Sequence, residues 1–221
     1  MRRILALALR DLKIEFRSRA GLLSTFFFLG VVLLILGFAL GPETADLKRA
    51  APGVLWVALA FAGSLLAGRA WGLEVENDTL DELLLLPGSR EWLYWGKFLF
   101  LFGLLFLLSL IVLVLVAGMF YLPLTAFFPL LVTVVLGIVG YAAVSTFYAG
   151  LVARLSTAQL ILPILVFSVV VPVILAAVKA TAALAGGAAV ADVWPWWQLL
   201  IAFDVIYLTA SSLLFPFVVE G

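Results

Sequence analysis

The chain has 221 residues, of which 66% are hydrophobic and 12% charged, with a formal net charge of zero. A soluble domain is nearer half apolar and a quarter charged, so the excess belongs in lipid, and the balanced charge argues against nucleic acid as a partner. Cysteine and histidine are both absent, which removes disulfides, Cys-ligated metal, thiol nucleophiles, the commonest general base and the usual axial haem ligand, and so weighs against an enzyme.

Residues 1–19 read as a helix lying on the membrane. Leu5, Leu9, Leu12 and Phe16 fall on one face, and Arg3, Arg10, Lys13 and Arg17 on another. This is the pattern of an interfacial helix with basic side chains toward anionic headgroups. A plain topology signal that happens to be helical has the same pattern. A cleavable signal peptide does not fit, because the following apolar run is longer than a signal h-region and begins only after this charged segment.

A bilayer core about 30 Å thick needs roughly 20 apolar helical residues. The first span is expected at 20–40 and the second at 50–73, with Gly41-Pro42-Glu43 turning the chain between them. Residues 74–91 then form a connecting segment containing Asn77-Asp78-Thr79-Leu80-Asp81-Glu82-Leu83-Leu84-Leu85-Leu86-Pro87-Gly88. Asp78 or Thr79 can cap a short helix, and Thr79-x-x-Glu82 matches a capping box. Asp78, Asp81 and Glu82 suit the positive end of the helix dipole, and Pro87-Gly88 ends the helix. Leu80, Leu83 and Leu84 make an apolar stripe, while Leu85 falls on the acidic side. The acids Glu74, Glu76, Asp78, Asp81 and Glu82 are ill suited to anionic lipid. The leucines are therefore expected to meet a protein partner or the chain's own helices.

Phe98–Ala153 carries no charge over 56 positions, too long for one span. Tyr121-Leu122-Pro123-Leu124, with Pro129 soon after, divides it into spans at about 96–122 and 125–153. A fifth span is expected at 156–178 and a sixth at 196–219, interrupted only by Asp204. Orientation follows from Lys and Arg. Arg2, Arg3, Arg10, Lys13, Arg17, Arg19, Arg69, Arg90, Lys97 and Arg154 fall on one side, against Lys48, Arg49 and Lys179 on the other. The richer side is expected in the cytoplasm with both termini. Trp194, Trp196 and Trp197 then serve as an anchor at the outer interface.

The motif Gly-x-x-x-x-Gly-Lys-[Ser/Thr] is absent from the sequence, so ATP dependence would come from another polypeptide. Trp194-Pro195-Trp196-Trp197 reads better as an interfacial anchor than as a haem platform, and Met119 reads as packing. An ionised Asp204 would cost a few kcal/mol inside the membrane. It reads equally as a conduit or gating residue and as a carboxyl hydrogen-bonded near the outer interface. Glu43 reads as an outer-loop functional residue or as a simple solvated turn.

Gly41-Pro42-Glu43, then Ala51-Pro52-Gly53-Val54-Leu55-Trp56-Val57-Ala58, then Arg69, then Thr79-Leu80-Asp81-Glu82-Leu83 running to Leu86-Pro87, resemble the CcmB family. That family is the membrane subunit of the cytochrome c maturation ABC transporter. The resemblance covers most of the chain, although Ser168 stands where the family pattern leads us to expect a second proline. It implies an all-α, polytopic subunit of exporter type in a bacterial inner membrane. The segment holding Glu74, Glu76, Asp78, Thr79, Leu80, Asp81, Glu82, Leu83, Leu84 and Leu86 would dock on a CcmA-like ATPase, which would bind ATP and magnesium. CcmC-like and CcmD-like subunits and a CcmE-like haem chaperone would complete the set, with haem handled by the complex and no cofactor held by this chain. Exporters need two membrane halves, so a homodimer is expected, with Gly63, Gly68, Gly103, Gly137 and Gly140 permitting close helix approach. A non-conducting scaffold that transmits nucleotide state remains the alternative, because Ser24, Thr25, Ser64, Ser109, Thr133, Ser145, Thr146, Ser168, Asp204 and Thr209 are the few polar residues in the spans. An ion-coupled carrier would want more intramembrane charge than Asp204 supplies.

Overall fold

The computed structural model describes residues 2–18, 20–76, 90–155 and 157–220. They form seven helices: α1 (Arg2–Ser18), α2 (Ala20–Leu40), α3 (Thr44–Glu76), α4 (Glu91–Met119), α5 (Phe127–Val152), α6 (Ala158–Ala185) and α7 (Val190–Glu220). No strand occurs among the described residues. Helices α2 to α7 are each long and apolar enough to cross a membrane. The expected coupling helix, Thr79 to Leu86, lies outside the described residues.

The turns follow backbone chemistry. Gly41 closes α2 with φ +76°, a conformation that glycine adopts without steric cost. After it the Glu43 carbonyl accepts the N–H groups of Asp46 and Leu47 and starts α3. Helix α3 thus begins at Thr44, before the expected span, and carries Lys48, Arg49 and Pro52 within it. The expected break after α4 occurs at Phe120 and Tyr121. Tyr121 takes φ +54°, rare for a residue with a side chain, and the helix stops short of Pro123, whose ring disfavours helical backbone before it. Helix α6 ends in a Schellman turn, with Gly187 at φ +81° and the Ala188 N–H donating to the Ala183 carbonyl at 3.0 Å. It passes Ser168 without a break, and that hydroxyl donates to the Leu165 carbonyl at 2.8 Å.

Hydrocarbon is as apolar as leucine, so association of spans in a bilayer rests on close packing and interhelical hydrogen bonds. Helix α5 packs against α3, α4, α6 and α7, while α2 leans on α3 and α1 at the edge of the bundle. The Trp56 ring sits against Gly137 and the Tyr141 ring against Gly63, each where a Cβ would collide. Their polar tips are satisfied across helices. The Trp56 indole donates to Thr181 Oγ1 at 2.9 Å, and the Tyr141 hydroxyl donates to the Ala60 carbonyl at 2.7 Å. Gly63, Gly137 and Gly140 therefore serve close approach within the chain. Trp197 corrects the anchor expectation. It is buried inside α7, where its indole donates to Thr133 Oγ1 at 2.8 Å, while Trp194 remains half exposed. The pairing explains the burial, since an indole N–H in an apolar interior needs an acceptor.

Gly137→Ala places a methyl in the Trp56 ring, which its hydrogen bond holds in place. It is expected to cost about 1–3 kcal/mol, as overpacking does elsewhere. Gly118→Ala meets open space and should leave the unfolding midpoint in detergent unchanged or slightly raised. Equal midpoints for the two variants would contradict this packing.

Candidate functional site

The polar centre of the described structure is a buried ionic node where α1, α3 and α4 meet. Helix α1 packs along α4 with Leu7 seated against Gly96, at a point where a Cβ would intrude. Its inward face carries Leu7 and Ala8 together with its only two acids, Asp11 and Glu15. The sequence pattern does not anticipate this face, because the Leu5, Leu9 and Phe16 stripe points away from the bundle and only Leu12 is half-buried.

Burial of the acids is made tolerable by their partners. Lys97, 1% exposed, places Nζ 2.7 Å from Glu74 Oε1 and 2.8 Å from Asp11 Oδ2, the latter an ion contact without hydrogen-bond alignment. Arg10 reaches the same two carboxylates from the rim, with Nη2 donating to Glu74 Oε1 at 2.6 Å and Nε donating to Asp11 Oδ1 at 2.9 Å. Two acids and two bases thus neutralise each other where a lone charge would cost several kcal/mol. Burial works against the Arg10 guanidinium, but the Asp11 hydrogen bond and the charges of Asp11 and Glu74 outweigh it and push its pKa up. Glu15 and Arg69 form a looser second pair at 3.8 Å. Gly21 lies against both members of that pair, so a Cβ there would push the Glu15 carboxylate and the Arg69 guanidinium aside.

An aromatic layer lies beneath the node. Lys97 Nζ is 5.3 Å from the centre of the Trp71 ring, a cation–π distance. Trp71 stacks on Phe215 at 5.5 Å, and Phe215 lies 5.7 Å from Tyr94. The Tyr94 hydroxyl donates to the Ala143 carbonyl at 3.3 Å. The node is thereby connected to α5 and α7.

The node brackets the connection between the second and third spans. Glu74 lies two residues before the end of α3, and Lys97 lies in the second turn of α4. Both flanks of residues 77–89 are consequently fixed to each other and to α1. Glu74 is corrected from its expected place on a docking surface, because its carboxylate is 1% exposed and turned inward to Arg10 and Lys97. Glu76 closes α3. Asp78, Thr79, Leu80, Asp81, Glu82, Leu83, Leu84 and Leu86 lie outside the described residues. Glu43 is exposed in its turn. Asp204 is 6% exposed on α7, beside Gly140, and its Oδ1 has no hydrogen-bond partner. The node itself is missed by the sequence pattern, although two signals mark it. Asp11 and Glu15 are one helical turn apart among five basic residues, and Lys97 stands directly before the uncharged run.

The family model described as "CcmB protein" matches residues 2–220. A "Heme exporter protein B" from Rhodobacter capsulatus is 32% identical over 181 residues, covering 77% of this chain and 78% of that protein. A protein of the same description from Paracoccus denitrificans is 32% identical over 194 residues, covering 83% and 84%. One from Pseudomonas aeruginosa is 26% identical over 176 residues, covering 75% and 74%.

Lys97→Met removes the shared cation and leaves buried carboxylates short of charge. It is expected to destabilise the detergent-solubilised protein by about 3–5 kcal/mol, as removal of one partner from a buried pair does. Adding Asp11→Asn and Glu74→Gln to Lys97→Met should recover much of the loss in thermal unfolding. A triple variant as unstable as Lys97→Met would show that the charges are not the source of the defect.

Proposed function

The chain belongs to the CcmB protein family, and we propose that it is the membrane-spanning subunit of a haem exporter, driven by a separate ATPase. The names of its relatives support the haem part of this reading. The observation that carries the coupling part is the ionic node. Glu74 and Lys97 bind the two flanks of residues 77–89 into one joint with α1, so a push on that segment moves three helices together.

In this reading the six spans cross the inner membrane of a bacterium, and the end of the bundle that carries α1 faces the cytoplasm with both termini. Residues 77–89 dock in a cleft of a CcmA-like ATPase, where leucines supply apolar contact and acids select a basic rim. ATP and magnesium are bound by that partner. Two copies of this chain form the membrane half, with CcmC-like and CcmD-like subunits beside them. The energised step delivers haem or releases a haem-loaded CcmE-like chaperone on the far side. Asp204 and Glu43 are the intramembrane and outer-loop positions proposed to take part.

A second reading is a scaffold that transmits nucleotide state without conducting haem. It is favoured by one observation: the buried side chains of Trp56, Tyr141 and Trp197 are committed to hydrogen bonds that lock helices together.

Leu83→Asp puts a charge into the proposed apolar contact and should detach the ATPase. Glu82→Ala loses only a capping carboxylate, at about 1 kcal/mol, and should cause a smaller defect. Co-purification of the ATPase and its hydrolysis rate in the complex measure both. A Leu83→Asp variant that keeps the ATPase bound and active would remove this segment from the coupling surface.

A further inference from the structure

Helix α1 has three faces, and the bundle uses one of them. Asp11 and Glu15 are turned inward and paired with Lys97 and Arg69. Leu5, Leu9 and Phe16 point away from the protein, 56%, 49% and 46% exposed. At 100° per residue, Arg2, Lys13 and Arg17 fall along one edge of that apolar stripe, and all three are exposed. Because both acids are internal, the outward half of α1 is amphipathic and carries only positive charge.

Depth identifies the medium that this half meets. Leu7 rests on Gly96, and Leu12 reaches Gly103, where a Cβ would lie 3.7 Å from its Cδ1. The C-terminal half of α1 therefore runs beside turns of α4 that already belong to the uncharged run from Phe98. Helix α2, the first span, begins at Ala20, directly after α1 ends at Ser18. The outward face of α1 thus stands at the foot of the first span, where in a bilayer the stripe can enter hydrocarbon and the long Lys13 and Arg17 side chains can reach the headgroups.

We propose that this face is a binding surface for anionic phospholipid. Acyl chains cover Leu5, Leu9 and Phe16, and phosphodiesters accept hydrogen bonds from Arg2, Lys13 and Arg17. An anionic headgroup is preferred over a zwitterionic one because no acid on this face welcomes the ammonium of the latter. A soluble acidic protein fits less well, since it would have to reach the leucine stripe at hydrocarbon level. Lipid then holds α1 from outside while the ionic node holds it from inside.

The test uses the purified full-length chain, equilibrated with equal amounts of phosphatidylglycerol and phosphatidylethanolamine, with retained lipid counted by native mass spectrometry. The wild type should be enriched in phosphatidylglycerol. Enrichment should fall by about fivefold for each cation removed among Arg2→Gln, Lys13→Gln and Arg17→Gln. Lys48→Gln with Arg49→Gln, at the opposite end of α3, should leave it unchanged. If the triple variant misfolds, single Lys13→Gln and Arg17→Gln carry the same expectation. A wild type without preference, or variants that keep it, would overturn the proposal. So would variants that keep their lipid ratio but lose a co-purifying protein, which would make the face a protein contact.

Discussion

Lys97 sets the constraint on which this end of the protein depends. An ammonium 1% exposed beside an apolar span is tolerable only if anionic partners are brought to it. Asp11 comes from α1 and Glu74 from the end of α3. Neither carboxylate could be buried alone, and Lys97 could not be buried without them. The mutual need draws α1 down onto α4, joins the two flanks of residues 77–89, and turns the acids of α1 away from the membrane surface. Because the charges balance locally, the joint is neutral toward the bilayer, and Trp71 and Phe215 extend it into the bundle.

Beyond the node the spans are held by different physics. With no water to expel between helices in hydrocarbon, contact depends on how closely backbones approach and on where polar tips find acceptors. Gly63 and Gly137 admit whole aromatic rings, and the same rings carry the hydrogen bonds to Ala60 and Thr181. Position and orientation are fixed by one side chain at a time. Helix α5 sits at the centre of these contacts, whereas α2 keeps much of its surface outward, with Phe27 and Phe38 among its exposed side chains. The ionic node and the glycine seams thus join the helices into one closely packed core.

The apolar runs were legible because hydropathy reports the solvent, and lipid leaves a strong mark. The breaks at Gly41-Pro42 and Tyr121-Leu122-Pro123 were legible because glycine and proline restrict backbone locally. Which face of each helix meets its neighbours was not legible, since a span is apolar all round. Trp197 illustrates this, having the composition of an interfacial anchor and the position of a buried donor. Charge was read as orientation, so Lys97 counted toward topology and Glu74 toward docking. Their partnership depends on contacts such as Arg10 with Glu74, 64 positions apart, and no local pattern encodes such a pairing. In α1 the apolar stripe was visible, and it does face outward. What the pattern hid is the opposite face, where Asp11 and Glu15 find partners on α4 and α3.

The claim that a buried charge pair, rather than general hydrophobic contact, fastens α1 to the bundle is tested most directly by a double-mutant cycle. Asp11→Asn, Lys97→Met and the double variant are compared with the wild type by equilibrium unfolding of the full-length protein in detergent. Residues coupled in one ionic network show interaction energies of about 0.5–3 kcal/mol. The double variant should accordingly be more stable than the sum of the single losses implies, by an amount in that range. Strictly additive losses would contradict the node as the fastening, and would leave the seat of Leu7 on Gly96 to hold α1 by packing alone.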